Sequence, residues 1–263
     1  MGNNYHQVRI NAVKENKIMK LRNGIVTVIL TFLLILTAGG ANALVEVSGL
    51  IANDTAWTRD DTILVTGMLV VADTARLNIE AGTVISFRPG IRIMVLGNMT
   101  AIGTEDNPIH FTSAADTAGG EPKPGDWYGL DYQVNSEGEL KYCQIRYPVI
   151  GTYVYSAAVT FSDCLVEDFL LYGLQINGGT QVEPNVTFID RCTVRQTVSS
   201  VQGTGIGIFA YQRAVLDLSR TYVNRCETGV EIYSYNTNVP FFEITNCDIS
   251  DNALYGINIR SGG

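Results

Sequence analysis

Beyond position 43 the chain holds only two lysines, Lys123 and Lys141, and one histidine, His110. So cation-poor a surface excludes nucleic acid and anionic membranes as partners, because their phosphates select for clustered Lys and Arg. No CxxC and no Cys/His pairing at ligand spacing occurs, so no metal site and no cofactor is assigned. Also missing are GxSxG, HExxH and a Walker loop; GTGIG at 203–207 sits inside a strand-like repeat instead of opening a helix. Helical stripes of period 3.6 are lacking as well, and what replaces them is short apolar/polar alternation between glycine turns.

The amino terminus is the exception to the scarcity of cations. Residues 1–43 carry five basic side chains, the apolar run Ile25 to Leu36 and then Ala41-Asn42-Ala43, the layout of a secretory signal with cleavage near Ala43. A start at Met19 instead of Met1 gives a more ordinary signal length. Twelve apolar residues are short for a bilayer span, so no membrane span is expected after removal, and the protein is expected to be secreted or on the cell surface. Losing five basic residues and Glu15 moves the formal charge from -8 to -12. The remaining 220 or so residues suffice for one core.

An internal repeat organises that remainder. FSDCLVEDFLLYGLQI at 161–176 recurs as KYCQIRYPVIGTYV, DRCTVRQT with TGIGI, SRTYVNRCETGVEI and TNCDISDNALYGINI. One marker aligns Cys143, Cys164, Cys192, Thr221 and Cys247, with Ile145, Val166, Val194, Val223 and Ile249 two residues later, at steps of 21, 28, 29 and 26 residues. A second aligns Gly129-Leu130, Gly151-Thr152, Gly173-Leu174, Gly205-Ile206, Gly229-Val230 and Gly256-Ile257. A period in the twenties made of alternating segments predicts an all-β solenoid, a parallel β-helix of about eight coils. The cysteines are then inward stacking residues kept as thiols: neighbouring coils lie about 4.8 Å apart, and parallel Cβ vectors leave Cys143 and Cys164 too far apart for a relaxed disulfide. Cys226 falls off this ladder, in a turn. Residues 44–61 read as a lead-in, 62–263 as the β-helix, and the Gly- and Pro-rich stretch 113–126 as a surface insert. The chain stops at Ile259-Arg260-Ser261-Gly262-Gly263 with nothing to cover the last strand edge. That predicts a fragment with an open C-terminal end, through which self-association is expected.

AGTVISF, MVLGNMTAIGT, NPIHFTS and GDWYGL, followed by the YCQI, DCLV and NCDI repeats, resemble in order and spacing the coils of right-handed parallel β-helix proteins of the pectin-lyase-like superfamily. The resemblance spans about residues 62–259 and implies a right-handed helix. It implies no single chemistry, since that group includes polysaccharide lyases, hydrolases, epimerases and adhesins.

Strand alternation supplies the candidate sites. Outward positions after each glycine pair read Asp131, Tyr153, Gln175, Gly207, Glu231 and Asn258; two residues on come Gln133, Tyr155, Asn177, Phe209, Tyr233 and Arg260. Asp131, Tyr153, Tyr155, Asn177, Glu231 and Tyr233 are the candidate carbohydrate-binding set, with extracellular polysaccharide as partner. The simpler alternative is that aromatic residues on a sheet exterior support one another across coils. Arg146, Glu167, Arg195, Asn224 and Ser250 form a second row, read as a structural charge ladder. A third row, Glu139, Thr160, Phe188, Asp217 and Glu243, places two carboxylates on adjacent coils. Asp217 and Glu243, with Arg213 or Arg220 as base, are the candidate catalytic group for a glycoside hydrolase or a Ca²⁺-assisted lyase; a solvated acidic pair is the simpler reading. The leading functional expectation is an exported structural and interaction module that binds polysaccharide, and the alternative is a carbohydrate-active enzyme on the same fold.

Overall fold

The computed structural model describes residues 43–179, 185–198, 203–235 and 240–262, and every statement below concerns these. The leader reading, residues 1–43, lies outside them except for Ala43. Three long faces run along the stack. Face A is built from the first half of β3 (Asp61–Val71) and from β5 (Val84–Phe87), β8 (Ile109–Ser113), β11 (Cys143–Arg146), β14 (Leu165–Glu167), β17 (Thr193–Arg195), β20 (Tyr222–Asn224) and β23 (Asp248–Ser250). Face B takes the second half of β3, then β6 (Arg92–Val95), β9 (Gly129–Tyr132), β12 (Ile150–Tyr155), β15 (Tyr172–Asn177), β18 (Ile206–Tyr211), β21 (Thr228–Tyr235) and β24 (Tyr255–Gly262). Face C holds β2 (Thr55–Trp57), β4 (Arg76–Glu80), β7 (Asn98–Ile102), β10 (Glu137–Lys141), β13 (Ala158–Ser162), β16 (Val186–Asp190), β19 (Val215–Ser219) and β22 (Phe241–Thr245). Every pairing is parallel, and the chain visits C, A and B in turn, so the eight strands of face C mark eight coils. The parallel β-helix is therefore the fold.

The repeat begins earlier than expected. Residues read as a lead-in form β1 (Ala43–Ile51), which pairs in parallel with both halves of β3, and β2, which pairs with β4. The first coils carry no cysteine marker, which is why the period does not show there.

Inward side chains stack in unbroken rows. On face A, Ile63, Ile85, Phe111, Ile145, Val166, Val194, Val223 and Ile249 are register neighbours from end to end. Cys143, Cys164, Cys192 and Thr221 are buried at the turn into face A, and all five cysteines are free thiols. Their Sγ atoms donate to carbonyls, as from Cys164 to Leu140 at 3.3 Å, and burial pushes the Cys164 thiol well up. Cys226 does lie in a turn, yet it is fully buried, and burial pushes its thiol up to about 12.

Corners use left-handed backbone. Tyr142, Asp163, Arg191, Arg220 and Asn246, each immediately before the Cys/Thr position, have φ between 47° and 55°. Because one residue does this in successive coils, side chains at that corner also stack. Longer excursions occur at the corner between faces A and B: the insert after β8 opens with α1 (Ala114–Thr117), capped by Ser113 Oγ, which accepts from the Ala115 amide. The turn after β17 is tied down by buried Asp168, which accepts from the Thr197 and Val198 amides at 2.6 and 2.9 Å.

The glycine row has a steric cause. A Cβ on Gly173 would lie 2.5 Å from the Gly207 carbonyl oxygen and 2.5 Å from Val194 Cγ1, and one on Gly207 2.6 Å from the Gly229 oxygen. Real Cβ contacts do not come that close, so these face-B positions must be glycine; the row begins at Gly129, whose register partner in the preceding coil is Arg92. The row is Gly129, Gly151, Gly173, Gly207, Gly229 and Gly256; Gly205, chosen by the sequence alignment, instead sits in the preceding turn at φ +67°. GTGIGI contains two Gly-Ile pairs, and a shift of two residues keeps the same face, so alternation alone does not separate them.

Candidate functional site

Face B carries the outward rows of interest. With the corrected register, the first reads Asp131, Tyr153, Gln175, Phe209, Glu231 and Asn258, and the second Tyr155, Asn177, Tyr211, Tyr233 and Arg260. Phe209 thus moves into the first row, and Tyr211, absent from the sequence-based set, takes the centre of the second. Aligning IGIFAY with YGLQIN would have found it.

Those central residues converge. Asn177 Nδ2 donates to the Tyr153 hydroxyl at 3.1 Å and to the Tyr211 hydroxyl at 2.9 Å, while the two hydroxyls lie 3.4 Å apart. Gln175 Nε2 reaches Tyr211 at 3.4 Å, and Asn177 Oδ1 accepts from the Gly179 amide at 2.8 Å. Burial, reinforced by the Tyr211 hydrogen bond, holds the Tyr153 phenol protonated far above the usual range. Rings stand in parallel stacks: Tyr153 on Tyr155 with centroids 6.2 Å apart, Tyr172 on Phe209 at 5.2 Å and Phe209 on Tyr211 at 4.9 Å. Ring faces turned to one another are covered; the Tyr172–Phe209 stack crosses from one coil to the next, while the other two lie within single strands, so mutual support across coils accounts for part of this strip. What remains half-exposed is the phenols of Tyr153, Tyr155, Tyr211 and Tyr233 and the amide of Gln175, which both donate and accept, while Asn177 is buried beneath them.

A carboxylate closes each end of the strip, and each is buried and paired. Asp131 meets Arg92 at 3.1 Å and accepts from Gln133 Nε2 at 2.5 Å; Glu231 accepts from Arg260 Nε and Nη2 at 2.9 and 2.5 Å. Arg260 also lies over the Tyr233 ring, 4.9 Å from its centroid. Four strand steps separate the two carboxylates, about 19 Å at the usual interstrand spacing. Hydrolysis of a glycosidic bond needs its two carboxyl groups within about 5 to 9.5 Å, so this pair does not form such a centre.

Asp217 and Glu243 are register neighbours on face C, Asp217 half-buried and Glu243 exposed. Arg220 does not join them. Its guanidinium is engaged by Asp190 at 2.8 and 2.6 Å, because the left-handed backbone at Arg220 turns it into the corner ladder with Asp163, Asp190 and Arg191. Arg213 lies in the turn before β19, with its backbone against Gly178.

The family model described as the right handed beta helix region matches residues 128–263, and that described as the pectate-lyase like beta helix domain matches residues 49–147. The chain belongs to the right-handed β-helix family. No match to it is found among curated proteins or among solved structures.

For a right-handed β-helix of pectate-lyase-like type, a carbohydrate-related role is compatible with either surface just described. Calcium does not fit the acidic pair: Ca²⁺ takes six to eight oxygens, Phe188 is the next residue in the row, and no group of three or more His, Cys, Asp or Glu is gathered for a metal among the described residues. Among the same residues no helix is long and apolar enough to cross a membrane.

Proposed function

We propose that this right-handed β-helix is an exported structural and recognition module that holds extracellular polysaccharide along face B. The observation that carries the reading is the Tyr153–Asn177–Tyr211 cluster from three successive coils, where a buried amide holds two half-exposed phenols within hydrogen-bond reach of each other. Sugar hydroxyls both donate and accept, and so do these groups. Successive coils repeat them at about 4.8 Å, which suits a polymer lying along the stack. Export is supported by the leader-like residues 1–43, and on this reading the module works on the cell surface or outside it. Binding in place of catalysis is supported by the separation of the face-B carboxylates and by the engagement of Arg220 with Asp190.

Affinity electrophoresis of residues 44–263 through gels containing a panel of polysaccharides tests this. Retardation by at least one polymer, lost in the Tyr153→Phe/Tyr211→Phe double variant, is the expected result. Unretarded migration across the panel rules the reading out.

A further inference from the structure

We infer that the polymer held on face B is uncharged, and that the strip discriminates against polyuronates. The inference rests on the reading of face B as a polysaccharide surface and adds the class of polymer. Among the described residues, Arg92 and Arg260 are the only cationic side chains on the face-B strands. Each is already committed, Arg92 to Asp131 and Arg260 to Glu231, and both carboxylates are nearly inaccessible, with 4% and 6% of their side chains exposed. A uronate carboxylate only accepts hydrogen bonds and needs a cation or a strong donor. A uronate that approaches either guanidinium, 34% exposed at Arg92 and 55% at Arg260, meets a charge already neutralised by a buried internal carboxylate, and displacing that carboxylate leaves it in the protein without its counter-charge.

The centre of the strip points the same way. Tyr153, Gln175 and Tyr211 offer neutral groups of mixed donor and acceptor character, suited to hydroxyls, and buried Asn177 holds the two phenols in place. Around them the chain from residue 44 onward carries a formal charge of -12, so a polyanion is repelled before contact. Asp131 and Glu231 therefore act as internal neutralisers of the two arginines, which remain reachable but carry no uncompensated charge.

Affinity electrophoresis in parallel against uncharged glucans, mannans and galactans and against polygalacturonate and alginate, with and without Ca²⁺, decides the point. The expected result is retention by an uncharged polymer at least about tenfold stronger than by either polyuronate. Equal or stronger retention by a polyuronate overturns this inference and leaves the polysaccharide reading standing; no retention by any polymer removes both. A gain-of-function arm tests the cause: Glu231→Gln releases Arg260, and retention by polygalacturonate should rise about tenfold or more in a salt-sensitive way. Asp131→Asn releases Arg92 and serves the same purpose should Glu231→Gln fail to fold. A folded variant with no such gain overturns the neutralisation argument.

Discussion

Arg195 places its Nε 3.0 Å from one carboxylate oxygen of Glu167, and Arg146 places its own Nε 2.9 Å from the other. The three residues come from adjacent face-A strands in one register, so the parallel stack itself sets the alternation of charge. Glu167 is 4% exposed, whereas the arginine side chains are 34% and 39% exposed, so solvent screens the pair from the arginine side. Glu167→Gln keeps the shape and leaves two guanidinium groups facing a neutral amide. The expected loss, discounted for that exposure, is about 1–2 kcal/mol. Chemical denaturation measures it, and an unchanged midpoint would show the ladder to be energetically idle.

A second charge ladder makes stability depend on acid. Arg191 donates to Asp163 at 2.7 and 2.8 Å and also pairs with Asp190, which Arg220 engages from the next coil. The Arg191 hydrogen bond holds the Asp163 carboxyl below its ordinary value of 3.8, and the Arg220 bond does the same for Asp190. Carboxyls depressed in the folded state contribute stability that is complete above the unfolded value and disappears as pH falls through the folded one. Melting temperature is therefore expected to hold steady down to about pH 4 and to fall below it. In Arg191→Ala the acid fall should be shallower, because the Asp163 carboxyl returns toward its ordinary value while Asp190 keeps Arg220; a curve parallel to the parent would refute the assignment.

Glycine at the start of face-B strands is a packing requirement, and its cost should depend on whether a coil lies beyond it. A Cβ at Gly207 would sit 2.5 Å from Val223 Cγ1 and 2.6 Å from the Gly229 oxygen, whereas one at Gly256, in the last described coil, meets nothing closer than the Ile249 oxygen at 3.0 Å. Gly207→Ala is expected to cost about 1–3 kcal/mol, within the range of overpacked cores, and Gly256→Ala less than half of that. Thermal denaturation of the two variants side by side measures the difference. Equal melting points would mean that the stack relaxes freely around an added methyl.

These residues also show what the sequence could and could not reveal. The Cys/Ile/Val row was legible because its chemistry repeats in five successive coils, and it predicted the interior thiols and the register of Arg146, Glu167 and Arg195. The face-B register slipped at Gly205 because a two-residue error preserves alternation; the strand pairing, with Ile208 opposite Leu174 and Val230, separates the two glycines and leaves Gly205 in the turn at φ +67°. Tyr211 was missed with it. Arg220 was misplaced for another reason: alternation assigns faces along strands, but Arg220 lies at a corner with φ +47°, where backbone handedness decides which carboxylate it meets. Strands β1 and β2 escaped notice because they carry neither marker.

Asp217 and Glu243 provide the sharpest test of the enzyme alternative. They are stacked in register on adjacent face-C strands, where two like charges at about 4.8 Å disfavour each other. Proton abstraction from a uronate would need a base beside them, and the guanidinium of Arg220 is occupied by Asp190. With that charge repulsion removed, the Asp217→Asn/Glu243→Gln double variant should be as stable as the parent or slightly more so, within about 0.5 kcal/mol. Incubation of the parent with polysaccharides is expected to yield neither new reducing ends nor unsaturated uronates. Turnover abolished by Asp217→Asn alone, with melting unchanged, would move the chemistry of this β-helix from face B to face C and make it an enzyme.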